Sequence, residues 1–248
     1  METVIFCHGM PGSTEDANLL RRTNPNAKIV PLKLLDVDPA QIDTGLQSSL
    51  DIFLEQSGQA RVHLVGFSIG AMAAIKLAAL RPEKVSRLTL ISPAAPLSLG
   101  EFLPEMAGKP VFDLALKSPV LLKFLTGLQG WIVRISPNTM INMLFAKCGT
   151  KEKDLLKDPL FRGVLTQGLS DSLIKKPSSY LSYVCAYVSD WSGILQDVTC
   201  PVFLWHGTKD TWSPPEMSEK LEKAFGTKAT LNLVEDAEHY STLTRVVL

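Results

Sequence analysis

The stretch Leu64–Ala78 reads LVGFSIGAMAAIKLA and sets Ser68 between Gly66 and Gly70, where an apolar run gives way to an alanine-rich one. A small polar residue at such a junction fits a phosphate-cradling turn, a plain loop, or a hydroxyl presented as a nucleophile. GFSIG lacks the lysine and the longer spacing of a phosphate-binding loop, which argues against the first. A serine hydroxyl is a weak nucleophile near neutral pH, so it needs a neighbouring base. The base in turn needs an anion to fix its tautomer and stabilise its protonated form. Four histidines could serve as base: His8, His63, His206 and His239. Asp190, Asp197, Asp210, Asp236 and Glu238 are the acids to weigh beside them.

Side chains so far apart in sequence meet only if regular elements bring them together. Six short runs rich in Val, Ile and Leu read as strands: Thr3–His8, Lys28–Leu34, Arg61–Gly66, Arg87–Ser92, Pro201–His206 and Ala229–Glu235. Nearly continuous apolarity means both faces are covered, as in a parallel sheet. Helical spacing marks 38–56, an Ala-rich helix spans 69–80 until Arg81-Pro82 stops it, and 214–225 follows two prolines. Alternating strand and helix predicts a doubly wound α/β fold with a mostly parallel sheet of about six strands. In such sheets ligands bind beyond the carboxyl ends of the strands. Those ends carry HGMPGS (8–13), GFSIG (66–70), HGTKD (206–210) and EDAEHYS (235–241), which gather a Ser, an Asp and a His in that chain order.

Here the sequence resembles the α/β-hydrolase family, over nearly the whole chain outside 97–191. Gly66-Phe67-Ser68-Ile69-Gly70 matches that family's G-x-S-x-G nucleophile turn, with the required strand before it and helix after it. Composition alone yields the pattern in about one chain in ten of this length; its setting, order and partners make it specific. The resemblance implies Ser68 as nucleophile and His239, which follows the last strand, as its base. It implies Asp210, which follows the fifth strand, as the acid. Asp190 and Asp197 precede that strand, and Asp236 and Glu238 are expected to face away from the far nitrogen of His239. The backbone N–H groups of Met10 and Ile69 are implied as the oxyanion hole, the second aided by the helix dipole. His63 reads as structural, His206 as packing against the Asp210 turn, and His8 as shaping its loop. Ser68 in place of an aspartate argues against the family's dehalogenases and epoxide hydrolases. The sequence starts on the strand before the oxyanion loop, so the N-terminal hairpin of many members is expected to be lacking.

Residues 1–96 and 192–248 are expected to form the hydrolase core, and 97–191 a helical cap over the site. The cap's apolar side chains, Leu114, Leu121, Leu122, Phe124, Leu125, Trp131 and Ile132, are expected to pack it onto the core in preference to docking on lipid. Phe67 and Met10 are expected to touch substrate. Lys+Arg and Asp+Glu both number 25, so no net field draws nucleic acid to the chain. No apolar run approaches the ~20 residues of a membrane span, so stable membrane insertion is not expected. Cys7, Cys148, Cys185 and Cys200 form no metal or disulfide pattern. A cytoplasmic protein without metal or cofactor follows as the expectation; nothing in the sequence sets an oligomeric state. The expected activity is serine hydrolysis of an ester, thioester or related carbonyl substrate with an apolar portion. C–C bond hydrolysis, lactonase, amidase or perhydrolase chemistry on the same residues, or a ligand-binding shell without turnover, are the alternatives.

Overall fold

The computed structural model describes residues 2–248 and forms one sheet of six parallel strands. β1 (Thr3–Cys7), β2 (Lys28–Pro31), β3 (Val62–Phe67), β4 (Val85–Ile91), β5 (Val202–Gly207) and β6 (Ala229–Val234) match the predicted runs within two residues, except that β2 ends three residues before Leu34. Their order is β2-β1-β3-β4-β5-β6. β1 and β3 are buried throughout, while the edge strand β6 is partly exposed along its length. Registers such as Cys7↔Gly66, Phe67↔Ile91, Ile91↔Trp205 and Gly207↔Val234 bring the strand ends to one edge. The chain leaves β1 toward β2 on one side and returns to β3 on the other, so a crevice opens at that reversal.

Helix α1 (Ala17–Thr23) follows the β1 loop and was not anticipated from the sequence. α2 (Ile42–Ser57) buries Leu46, Leu50 and Leu54 and ends at Gly58, whose φ of 66° stops the helix. α3 (Gly70–Leu80) is buried nearly all round beneath the sheet, which explains its alanines. α10 (Glu216–Phe225) and α11 (His239–Leu243) follow β5 and β6.

Between β4 and β5 the chain forms six α-helices, besides short 3-10 and π turns, and no strand: α4 (Lys109–Lys117), α5 (Pro119–Ile135), α6 (Pro137–Leu144), α7 (Thr150–Leu155), α8 (Pro159–Ser170) and α9 (Pro177–Val188). Proline opens several of them, where its missing N–H costs nothing. Leu122 of α5 is buried, and Leu114 and Ile132 are partly buried against a hydrophobic cluster that runs through both the sheet and the inserted helices. Leu121, Phe124 and Trp131 are not: they stand in solvent. Apolar composition signals burial only on average, and α5 is apolar on more faces than its neighbours cover.

Candidate active site

Ser68 lies between the end of β3 and the start of α3, with φ of 55°. A non-glycine residue in that left-handed region costs about 1–2 kcal/mol, and the turn is held by neighbouring backbone. The Ser68 N–H donates to the Ile91 carbonyl at 3.1 Å, and its carbonyl accepts from Ala71 and Ala94 at 3.0 and 3.1 Å. The close approach of β1 explains the flanking glycine: a Cβ on Gly70 would lie 2.2 Å from the His8 carbonyl oxygen. Gly70→Ala is therefore expected to destabilise the fold by more than about 4 kcal/mol, read as a shifted denaturant midpoint or as loss of soluble protein.

Asp210 and His239 arrive from the ends of β5 and β6. His239 Nδ1 is 2.8 Å from Asp210 Oδ2, and both side chains are buried. Asp210 Oδ1 accepts from the Trp212 and Ser213 N–H groups at 2.8 and 3.0 Å. Burial works to raise the Asp210 pKa, but His239 and His206 beside it outweigh that and hold the carboxyl well below the usual range. His206 braces this turn. Its Nδ1 pairs with Ser218 Oγ at 2.6 Å, and its Nε2 lies 2.7 Å from the Ser213 carbonyl and 3.5 Å from Asp210 Oδ2. Asp236 pairs with Lys209 and Lys151, and Glu238 accepts from the Gly149 N–H, so neither is a rival partner for Nδ1.

The His239 imidazole is caged by aromatic rings. Trp212 stacks on it at 5.2 Å and 26°, and Phe67 and Tyr240 lie 4.8 and 5.7 Å away. With Nδ1 committed to Asp210, Nε2 is the nitrogen left for chemistry. No hydrogen bond joins it to the Ser68 hydroxyl, which has no hydrogen-bond partner among the described residues.

Ser68, Ile69 and Met10 line one cavity of about 410 Å³, with Trp212 and Ser213 at one side. Inserted residues complete the lining, among them Met106, Val111, Leu125, Met140 and Tyr180, so the walls are mostly apolar. The Met10 and Ile69 N–H groups donate to no protein acceptor among the described residues. Phe67, expected to touch substrate, does not reach this space: it is fully buried and packs against His239 and Tyr240. Its ring fills the space between the Gly9 backbone and the His239 imidazole, close to Ser68 but outside the cavity wall.

Sequence reading missed Glu152, a buried carboxylate on α7. Its Oε1 accepts from the Tyr240 N–H at 2.6 Å and its Oε2 from the Ser241 N–H at 2.9 Å, so it satisfies the first turn of the helix that starts at His239. Burial raises its pKa, against those hydrogen bonds and the charge of His239. A glutamate in an amphipathic helix gives no sign of this role, because its partners lie about 90 residues away. Glu152→Ala leaves two buried donors unpaired; a loss of about 2–3 kcal/mol in unfolding free energy is expected, with a smaller loss in Glu152→Gln.

The other histidines are structural. His8 Nδ1 contacts the Gly9 carbonyl at 2.9 Å, and His63 Nε2 pairs with Thr89 Oγ1 at 2.8 Å while its Nδ1 has no partner. Burial pushes their pKa values down to about 4 and about 3. Between pH 6.5 and those values the unfolded chain takes up protons that the folded chain refuses, so stability falls as pH falls. The loss expected by pH 5 is on the order of 2 kcal/mol for each. Equilibrium unfolding of His63→Gln should show a correspondingly shallower decline from pH 6.5 to 5.

Strand order, the turn at Ser68 and the Asp210–His239 pair together define an α/β hydrolase. The sequence model of the family described as serine aminopeptidase, S33, matches residues 40–243. The chain therefore belongs to that family; the match spans Ser68, Asp210 and His239 and begins after the Met10 loop. Solved structures share the fold at low identity. A bromoperoxidase from Bacillus anthracis is 17% identical, with 98% of this chain and 87% of that one covered and a TM-score of 0.65. An enol-lactonase from Burkholderia xenovorans LB400 is 13% identical, with 98% and 86% covered and a TM-score of 0.67. An esterase from Exiguobacterium antarcticum is 17% identical, with 96% and 85% covered and a TM-score of 0.61. No curated protein matches the chain in sequence. Among the described residues no helix is long and apolar enough to cross a membrane.

Proposed function

We propose that this protein is a serine hydrolase that cleaves an ester, thioester or related carbonyl substrate with an apolar portion. Ser68 Oγ attacks the carbonyl carbon while His239 Nε2 takes its proton, and the oxygen that gains charge is met by the Met10 and Ile69 N–H groups. Collapse of that intermediate expels the leaving group, to which His239 returns the proton. Water then releases the acyl group from Ser68 by the same steps, and no cofactor is needed. Attack requires Ser68 Oγ and Nε2 to come within hydrogen-bond reach, a contact often loose without substrate. Residues 97–191 act as the cap, closing an apolar space that keeps water from the acyl group.

The observation that carries this reading is the 2.8 Å His239–Asp210 pair, whose imidazole stacks on Trp212 at the wall of the cavity that Ser68, Met10 and Ile69 line. A fluorophosphonate probe tests it: labelling at Ser68 in the wild type, and none in folded Ser68→Ala, is the expected result. Unlabelled wild-type protein would overturn it. A panel of acyl chain lengths with oxygen-ester and thioester arms then defines the substrate class.

A further inference from the structure

Helix α5 is apolar on two opposite sides. Leu122, Thr126, Gly130 and Val133 are buried, and Leu125 and Gln129 beside them line the Ser68 cavity. On the outer side Val120, Leu121, Phe124, Leu128, Trp131 and Ile135 face solvent, with Val120 79%, Phe124 75% and Trp131 60% exposed. Steps of three and four residues put them in one stripe about 22 Å long. An exposed apolar surface of this extent marks a place of docking.

The charge along this stretch of chain is one-sided, and the acids on the elements packed against α5, Asp113 and Asp171, are paired with Lys109, Lys117 and Lys175. The whole chain is neutral, yet residues 114–150 contain Lys117, Lys123, Arg134 and Lys147 and no Asp or Glu. Lys123, Arg134 and Lys147 form no ion pair among the described residues. Lys123 and Arg134, with Trp131, border an outer groove of about 430 Å³ whose other wall includes Leu173, Ile174 and Leu181. They are eleven residues apart on α5, about 16 Å along its axis.

We propose that this face docks on an anionic lipid surface. Phe124, Leu128 and Trp131 would enter the boundary between headgroups and acyl chains, where tryptophan is favoured, and Lys123 and Arg134 would meet lipid phosphates. A second copy fits less well, because a two-fold contact along the stripe sets Lys123 and Arg134 of one copy against the same cations of the other. An anionic interface answers both the apolar and the basic character of the face. Since the inner side of α5 lines the Ser68 cavity, docking keeps that cavity beside the lipid.

The test is co-sedimentation of the full chain with vesicles of phosphatidylcholine alone or with about 30 mol% phosphatidylglycerol. Binding at least about tenfold stronger to the anionic vesicles, weakening in high salt, is expected. Trp131, the one exposed tryptophan, should shift its emission to the blue. Phe124→Asp/Trp131→Asp should lose about tenfold or more of the binding, and Lys123→Gln/Arg134→Gln most of the anionic preference. All four side chains are exposed, so these variants should keep their unfolding midpoints. Absence of wild-type binding, unchanged binding by Phe124→Asp/Trp131→Asp, or a dimer in light scattering that this variant abolishes would each overturn the proposal. Vesicle binding is read without turnover, so its failure leaves the hydrolase reading intact.

Discussion

Ser68→Ala is expected to lower kcat by about 10⁵-fold or more while the unfolding midpoint stays within a few degrees of wild type. The asymmetry comes from what the substitution removes. Alanine keeps the Cβ and meets the same demand for a left-handed φ, so the hydrogen bonds from Ser68 N–H to Ile91 and from Ala71 and Ala94 to the Ser68 carbonyl persist. Only the hydroxyl oxygen, the proposed nucleophile, disappears. His239→Ala should cost about as much, and the double variant little more, because attack and proton transfer form a single step; in a comparable serine enzyme single and combined losses were nearly equal. The residual rate over water then measures substrate binding together with the proposed Met10 and Ile69 donors. Steady-state kinetics of the three variants on the best ester found by screening, with a denaturant titration of each, checks this. Near-normal turnover by Ser68→Ala would remove the acyl-enzyme from the mechanism.

Asp210→Asn is expected to lower kcat by about 10⁴-fold, with KM little changed. Asparagine can still accept from the Trp212 and Ser213 N–H groups through its carbonyl oxygen. Its amide then donates to His239 Nδ1, which forces the ring proton onto Nε2, the nitrogen that should receive the serine proton. The geometry survives and the base is lost. The variant should also differ in acid. The depressed pKa of Asp210 contributes stability above the ordinary carboxylate value, and that contribution is lost as pH falls toward the folded value. Stability between pH 5 and 3 should therefore decline less steeply in Asp210→Asn than in wild type. Turnover close to wild type would assign the acid elsewhere.

What sequence alone determined here is what nearest neighbours along the chain dictate. Continuous apolar runs require a sheet covered on both faces, and all six strands follow from that. Gly66 and Gly70 require a turn with no room at its flanks, and the chain order of Ser68, Asp210 and His239 follows from which loop ends which strand. Other features depend on surfaces that meet only in three dimensions. Phe67 belongs to the same pentapeptide as Ser68, yet its ring is fully buried against His239 and Tyr240 and does not line the cavity. Glu152 supports the helix of His239 from a different part of the chain, and nothing in its local pattern distinguishes it from a solvated glutamate. The same limit applies to α5: hydrophobicity shows that a side chain gains by leaving water, but not which surface will receive it. Leu122 and Val133 found the core, while Phe124 and Trp131 were left facing out because the inserted helices cover only one side of α5.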